Sequence, residues 1–296
     1  MPSRSEKRKG EADLHVHTAF SDGVLLPEKV VEKALGLGLR AIAVTDHDCV
    51  DGIAPSVSAA EGTTLEIIPG VEISAAAGDR EIHVLGYFIE PRDPGLLKTL
   101  QKMKHNRMVR MRGILANLKK RGVSVDEDKV FANSGEGTLG RMHLARVLKE
   151  EGVVRNTWEA FDKFLGDGRP CHIKHKRLDY RKCIELILGA GGVPVLAHPA
   201  TMGSDEYIPA YISAGLRGIE AYHSKHRPSA SRKYCRMCGE LGLIATGGSD
   251  CHGVAGWTGE IMLGKVTVPY GVVENLREEA VKVRGSRERL SVNSDK

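Results

Sequence analysis

Short apolar runs alternate with segments of helical period over the first ninety or so residues, and again after residue 170. Residues 12–16 have the pattern of a brief strand. A helix is predicted over 26–37, opened by Leu26-Pro27-Glu28 with proline at a first-turn position. Residues 39–44, 64–73 and 81–89 read as further strands. Strands and helices alternating in this way predict an α/β fold with a largely parallel sheet or barrel. The rhythm breaks over 94–170. There, residues 98–121 carry Leu100, Met103, Met108, Met111, Leu115 and Leu118 near helical period, and 141–150 and 157–165 predict shorter helices. This stretch is expected to be a helical insertion beside the barrel mouth. Helices at 180–189, 205–213 and 229–241 then alternate with strands at 192–197, 217–221 and 243–246, and 261–282 adds one strand and one helix. The expected plan is a basic tail (1–11), a barrel (12–93 and 171–285), an insertion (94–170) and a polar C-terminal tail (286–296).

With 296 residues the chain is long enough for one such barrel with its insertion. A hydrophobic fraction of 41% and a charged fraction of 27% are ordinary for a globular protein, and 5% aromatics imply a core of Leu, Val, Ile and Ala. No apolar run approaches the roughly 18 residues of a spanning helix, and the basic N-terminus lacks the apolar stretch of a secretory signal. A cytoplasmic chain with no membrane association is therefore expected. Cysteines 49, 171, 183, 235, 238 and 251 show no disulfide-framework spacing, which fits reduced thiols. Cys235 and Cys238 form a Cys-x-x-Cys without a second pair, inside a predicted amphipathic helix, and are read as packing residues. The net charge of +5 suits a phosphorylated partner but is too small to indicate nucleic-acid binding.

Candidate metal ligands recur where predicted strands end. His15 and His17, two apart in a strand, leave the same face and can share one ion. Asp22 lies in a Ser-Asp-Gly turn from which a short carboxylate can point back toward them. His47 stands where strand 39–44 gives way to a loop, and Glu72 ends Ile-Ile-Pro-Gly-Val-Glu with two oxygens able to bridge two ions. His83 lies in the next strand, His198 follows Val-Pro-Val-Leu-Ala, and Asp250 and His252 follow a final apolar run. In a barrel the C-terminal ends of strands converge, so residues far apart in sequence can meet. Any one of these histidines could be a hydrogen-bonded structural residue, but that reading would have to hold separately at every position. Imidazoles and carboxylates without thiolates suit Mn²⁺, Zn²⁺ or Fe²⁺ better than Ca²⁺ or an iron–sulfur cluster. Cys49 and Cys251 neighbour the motifs but should point the other way. Asp46 and Asp48 flank His47, where they can orient ligands.

The joint set Asp-Leu-His-Val-His-Thr-Ala-Phe-Ser-Asp-Gly, Thr-Asp-His-Asp, Pro-Gly-Val-Glu-Ile-Ser, His-Val-Leu-Gly-Tyr, Ala-His-Pro and Gly-Gly-Ser-Asp-Cys-His-Gly resembles the polymerase and histidinol phosphatase (PHP) family over about residues 12–255. The insertion, with Gly-Arg-Met-His at 140–143, looks like that of stand-alone nucleotide phosphoesterases and 5′-to-3′ exoribonucleases. The resemblance implies a distorted (β/α)7-type barrel with two to three divalent ions, Mn²⁺ favoured over Zn²⁺ or Fe²⁺. One ion would be held by His15, His17, Glu72 and Asp250, a second by Asp22, His47 and His252, and a third by His83 and His198 with Glu72 bridging. It further implies hydrolysis of phosphate esters, with His15, His17, Glu72, Asp250 and His252 at the reacting centre. The expected substrate is a phosphorylated small molecule, a nucleotide such as a nucleoside 3′,5′-bisphosphate, or short RNA taken from the 5′ end.

Arg141 and His143 are the first choices for gripping phosphate, since a guanidinium can bind it in bidentate fashion. Arg107 and Arg110, three apart on one helix face, could meet a second phosphate or a nucleotide backbone, although solvated helix charge is the favoured role for each. His223 and His226 follow a predicted strand and could line the pocket, and Glu220 is a weaker candidate. His105, His172 and His175 are read as surface or structural residues. The chain lacks an evident aromatic platform, which weakens a case for long single strands. Histidinol phosphate is a less favoured substrate. A non-catalytic metal-binding module would be expected to have lost ligands, and this set is complete. No obligatory protein partner is indicated.

Overall fold

Small and β-branched side chains build the strands at the centre of the fold. Ala12 and Leu14 on β1 (Glu11–Val16), Ala41 to Val44 on β2 (Ala41–Val44), and Ile68, Val71 and Ile73 on β3 (Glu66–Ala77) are all buried. The computed structural model describes residues 11–132, 137–174, 176–253 and 260–294. His175, the tail before residue 11 and the last two residues of the span resembling PHP proteins lie outside the described residues. Glu11, assigned above to the tail, begins β1.

β4 (Arg80–Tyr87), β6 (Val193–Leu196), β7 (Gly218–His223) and β8 (Ile244–Gly248) extend the sheet in the order β8-β7-β6-β4-β3-β2-β1, with the short β9 (Val268–Pro269) beyond β1. The expectation of a largely parallel sheet needs correction at β4 and at the short β9, which is antiparallel to β1. β4 runs antiparallel to both its neighbours, β3 and β6, whereas β1/β2, β2/β3, β6/β7 and β7/β8 are parallel. The cause is the turn Gly78-Asp79, with Gly78 at φ 61°, between the paired Ala77 and Arg80. Two residues cannot make the crossover that a parallel neighbour requires, so they close a hairpin.

At the other side of the sheet, Val16 bridges Cys251 and the His17 amide donates to the Cys251 carbonyl at 3.0 Å, so the sheet comes close to closing on itself as a barrel. The interior is filled by Ala12, Leu14, Ala41, Ala43, Leu85, Tyr87, Val193 and Val195. The Tyr87 hydroxyl donates to the Leu14 carbonyl at 2.9 Å. Helix α1 (Pro27–Gly36) follows β1, and α2 (Ile53–Ala60), absent from the sequence reading, follows β2.

The insertion opens with α3 (Pro94–Lys119), whose N-cap Asp93 accepts from the Leu96 amide at 2.9 Å. This helix serves two cores. Leu96, Leu100 and Met103 pack on the barrel, while Met111, Ile114 and Leu118 join α4 (Glu127–Ala132), α5 (Arg141–Glu150) and α6 (Thr157–Ala160) in a separate apolar cluster with Leu144, Leu148 and Leu165. The Thr138 amide donates to the Phe20 carbonyl at 2.8 Å, joining the insertion to the loop after β1.

The chain returns through β5 (Leu178–Asp179), which pairs with β3, and α7 (Tyr180–Gly189). Then α8 (Ile208–Ser213) and α9 (Pro228–Leu241) cover the outside of the barrel. Helix α10 (Gly271–Ser294) packs Val273, Leu276 and Ala280 into the interior cluster. It continues past residue 286, where a polar tail was expected. Only Leu290 and Val292 are apolar among residues 286–294, too few to reveal a helical period.

Gly248 sits at the barrel seam, where an added Cβ would collide with the backbone nitrogen and Cβ of His15. Gly248→Ala is expected to cost about 1–3 kcal/mol in urea unfolding. Gly36→Ala, whose Cβ meets nothing within 4 Å, should cost nothing.

Candidate metal centre

Glu72 is fully buried in the middle of β3, and its carboxylate is ringed by imidazoles. Oε2 lies 3.1 Å from His15, 3.2 Å from His17 and 3.1 Å from His47, while Oε1 lies 2.8 Å from His83 and 2.9 Å from His198. The five histidines come from β1 (His15) and the residue just past it (His17), the loop after β2, β4 and the turn after β6. Asp250 closes the ring after β8, with Oδ1 3.2 Å from His17 and 3.5 Å from His15. Asp22 Oδ1 stands 3.0 Å from His252 and 3.9 Å from His47. All nine candidate ligands are thereby gathered at one end of the barrel.

Ligand atoms of His15, His17, Glu72 and Asp250 lie within 4.8 Å of one another, and so do those of His17, Asp22, His47 and His252. The third grouping differs in part from the expected one. His47 joins Glu72 and His83 there, while His198 reaches the same Glu72 oxygen as His83. His198 and Asp250 hold positive φ, 29° and 53°, in a region that favours glycine, which bends the chain as each strand ends at the pocket. Several buried ring and carboxylate atoms face one another at ion-pair distance without a well-directed hydrogen bond: His17 Nε2, Asp22 Oδ1, His47 Nδ1 and His223 Nε2. Buried polar atoms are ordinarily satisfied. Atoms of both kinds left in this way and converging on one space suit divalent cations, and the donor set of imidazoles and carboxylates suits Mn²⁺, Zn²⁺ or Fe²⁺.

The ligands are held from behind. Glu220 accepts from His15 Nδ1 at 2.9 Å and from the His198 amide at 2.7 Å, which fixes the tautomer that presents His15 Nε2 to the pocket. Residue type and strand position alone left Glu220 a weak candidate. Asp13 accepts from the Ser249 amide (2.8 Å), the Ser249 hydroxyl (2.6 Å) and the Gly264 amide (2.8 Å), anchoring the loop that carries Asp250. Asp46 accepts from the Thr18 amide and hydroxyl, both at 2.7 Å, and from the Ser21 hydroxyl at 2.6 Å, setting the turn that leads to Asp22.

A cavity of about 630 Å³ opens over these groups, lined on the insertion side by Met142 and Arg146 and on the barrel side by Thr201, Ser224 and Lys225. Arg141 and His143, expected to grip phosphate, do not line it. The Arg141 guanidinium donates to the Leu165 carbonyl at 3.0 Å and to Asp167 at 2.9 Å, and His143 Nδ1 accepts from the Gly140 amide at the start of α5. At about 100° per residue, position 146 falls roughly 140° around α5 from position 141, which turns Arg146 rather than Arg141 to the cavity. Its Nη2 donates to the Asp22 carbonyl at 2.5 Å. Arg107 pairs with buried Asp48 and donates to the Ser74 hydroxyl at 2.9 Å. His226 is also turned away, Nδ1 donating to the Ala221 carbonyl at 3.1 Å. His223 does meet the site, 3.3 Å from Asp250 Oδ2.

Burial works against every charge here, yet the imidazoles hold Glu72, Asp22 and Asp250 well below the usual carboxylate range. Burial likewise opposes protonation of His17 and His83. Asp250 and Glu72 nonetheless raise His17 to about 10, and Glu72 and Glu81 raise His83 to about 10. For raised imidazoles the sign is fixed: the ion pairs contribute fully below the ordinary histidine value and are lost as pH rises through about 10. A cation must displace those protons. Mn²⁺ uptake is therefore expected to release on the order of one or two protons per chain and to tighten with pH. Titration calorimetry in buffers of different ionisation enthalpy checks this, and buffer-independent heats would contradict it. Glu220→Gln is expected to weaken Mn²⁺ binding about 10- to 100-fold with little change in far-UV circular dichroism, as metal analysis after dialysis will show.

Comparison with known proteins agrees with this geometry. Residues 13–165 match the PHP domain. The 3′,5′-nucleoside bisphosphate phosphatase of Chromobacterium violaceum is 32% identical over 247 residues, 81% of this chain and 86% of that protein. A 5′-3′ exoribonuclease of Haemophilus influenzae is 34% identical over 260 residues, 86% of this chain and 93% of its own length. The fold superposes on a Bifidobacterium adolescentis protein assigned as a metal-dependent phosphoesterase with a TM-score of 0.83 at 29% identity, covering 90% of this chain and 94% of that one. With a domain match over more than half its length and relatives of this identity aligned nearly end to end, the chain belongs to the PHP domain family.

Proposed function

We propose that this chain is a metal-dependent phosphoesterase that hydrolyses phosphate esters of nucleotides, either a nucleoside 3′,5′-bisphosphate or short RNA from its 5′ end. The observation that carries the reading is the ring of imidazoles and carboxylates around Glu72 beneath a cavity walled by two cations, Arg146 and Lys225. Divalent cations held by His15, His17, Asp22, His47, Glu72, His83, His198, Asp250 and His252 would supply a nucleophile from water near neutral pH and neutralise phosphoryl charge. The chain's own contribution is positional. Arg146 presents a guanidinium to phosphate oxygens, its orientation set by its bond to the Asp22 carbonyl. His223 faces the same space. Its Nδ1 accepts from the Lys225 amide at 3.1 Å, which leaves Nε2 as the donor directed inward.

A second cluster of cations supports a substrate with more than one phosphate. Burial first, and then the charges of Arg141, Arg107 and Arg177, push Arg110 down to about 10. Arg110 Nη2 and Arg177 Nε are buried without partners. Arg177 pairs with Glu81, whose Oε1 is 3.5 Å from His83, so this cluster borders the candidate ligands. Arg141, Arg107 and Arg110 thus keep a place in the reading, as an anchor for a remote phosphate rather than for the reacting one. Histidinol phosphate, with one phosphate and an amine, offers no second anion to Arg110, whereas Arg107, Arg141 and Arg177 already face Asp48, Asp167 and Glu81. A non-catalytic module is disfavoured by the full ligand set. No described helix is long and apolar enough to cross a membrane.

Mn²⁺-loaded protein should release phosphate from a nucleoside 3′,5′-bisphosphate or mononucleotides from a 5′-phosphorylated oligoribonucleotide, and leave histidinol phosphate nearly untouched. Asp250→Ala should abolish turnover. Arg146→Ala should lower kcat/KM about 10- to 100-fold with an unchanged metal count, the size of one charge-assisted hydrogen bond. If none of the three substrates is turned over by protein shown to carry metal, the reading fails.

A further inference from the structure

Of the two cations that wall the cavity, Arg146 is tied to a backbone carbonyl, whereas Lys225 is held only by a candidate metal ligand. The loop after β7 is fixed through its backbone, the Lys225 amide donating to His223 Nδ1 at 3.1 Å. The side chain then reaches into the pocket, and its ammonium lies 3.1 Å from Asp250 Oδ2. The two Asp250 oxygens thus face different company. Oδ1 looks toward His17 and His15, within the group of ligand atoms suited to a cation, and Oδ2 toward Lys225 and His223. Asp250 is 7% exposed and the Lys225 side chain 65% exposed, so the ammonium enters from the wet rim while its partner stays buried.

We infer that Lys225 is an exchangeable counter-ion, neutralising Asp250 until a divalent cation takes that carboxylate and then turning to the phosphate of an anion in the same cavity. An ammonium and a divalent cation are rivals for one carboxylate, and their mutual repulsion rises steeply at contact distances. The partner that yields is the one with a flexible four-carbon stem and access to water. Its anchor, the hydrogen bond from the Lys225 amide to His223 Nδ1, does not depend on where the ammonium goes. Arg146 does not exchange in this way, because its guanidinium is held by the Asp22 carbonyl rather than by a ligand carboxylate, and its remaining N–H groups do not depend on cation loading. Loading with cations therefore frees a positive charge at the place where an anion arrives. The first half of the inference concerns cation binding alone. The second half rests on the phosphoesterase reading only in taking phosphate as the anion.

The test compares wild type, Lys225→Met and Lys225→Arg by calorimetry, with equal thermal melting midpoints as the check on folding. In dialysed protein at low ionic strength, Lys225→Met should bind its first Mn²⁺ about three- to fivefold more tightly than wild type, the size of a partly exposed ion pair, and Lys225→Arg should not. With Mn²⁺ saturating, inorganic phosphate should bind Lys225→Met about tenfold more weakly than wild type, with Lys225→Arg recovering part of the loss. Unchanged or weaker Mn²⁺ binding by Lys225→Met would overturn the counter-ion role. An unchanged affinity for inorganic phosphate would overturn the role toward the anion. Neither measurement needs turnover, so a chain that hydrolyses no ester while passing both would refute the phosphoesterase reading and leave this one standing.

Discussion

One carboxylate taken out of water organises the pocket. Glu72 lies in a strand at the centre of the sheet, fully buried, and an ionised carboxylate there is costly unless charge or hydrogen bonds surround it. Five imidazoles do so, and no single strand could provide them. A sheet curled until β1 and the segment after β8 touch is what brings them within reach. Once there, the imidazoles need a second layer of acceptors. Glu220 behind His15 and Asp46 below the Asp22 turn belong to that layer. The same low-dielectric setting that makes Glu72 expensive strengthens every interaction around it, including the grip on any cation that replaces the imidazole protons.

Much of this was legible in the chain itself. Ligand-type residues follow apolar runs, and a barrel delivers strand ends to one face, so all nine candidate ligands could be named before their distances were known. What escaped the sequence reading depended on local geometry. Gly78-Asp79 is a hairpin signal two residues long, easily passed over between two strand patterns, yet it reverses β4. Arg141 stood inside a suggestive motif, whereas Arg146 carried no such flag. The choice between them turned on helical phase and on Asp167, which engages Arg141 elsewhere. Glu220 looked like a strand-end carboxylate among several, and only the paired contacts to His15 and to the His198 amide show what it holds. The end of α10 was read as a tail because its charged turns carry no apolar stripe.

The insertion is less an appendage than its sequence suggests. Helix α3 lends one end to the barrel core and the other to the insertion's own cluster, so the two parts share a rigid member. Arg107 on that helix reaches Asp48 and Ser74 at the rim of the sheet. The arginine-rich side of the insertion therefore has a fixed position relative to Glu81 and His83, and the distance between the two groups of cations is set by packing rather than by a flexible hinge.

The insertion is also stitched to the turn bearing Asp22, through the Thr138 amide on the Phe20 carbonyl and Arg146 on the carbonyl of Asp22 itself. That makes it a keystone rather than a lid. Displacing it would be transmitted to that turn and so to a carboxylate of the candidate centre, whereas Thr201, Ser224 and Lys225 on the barrel side of the cavity are open to solvent.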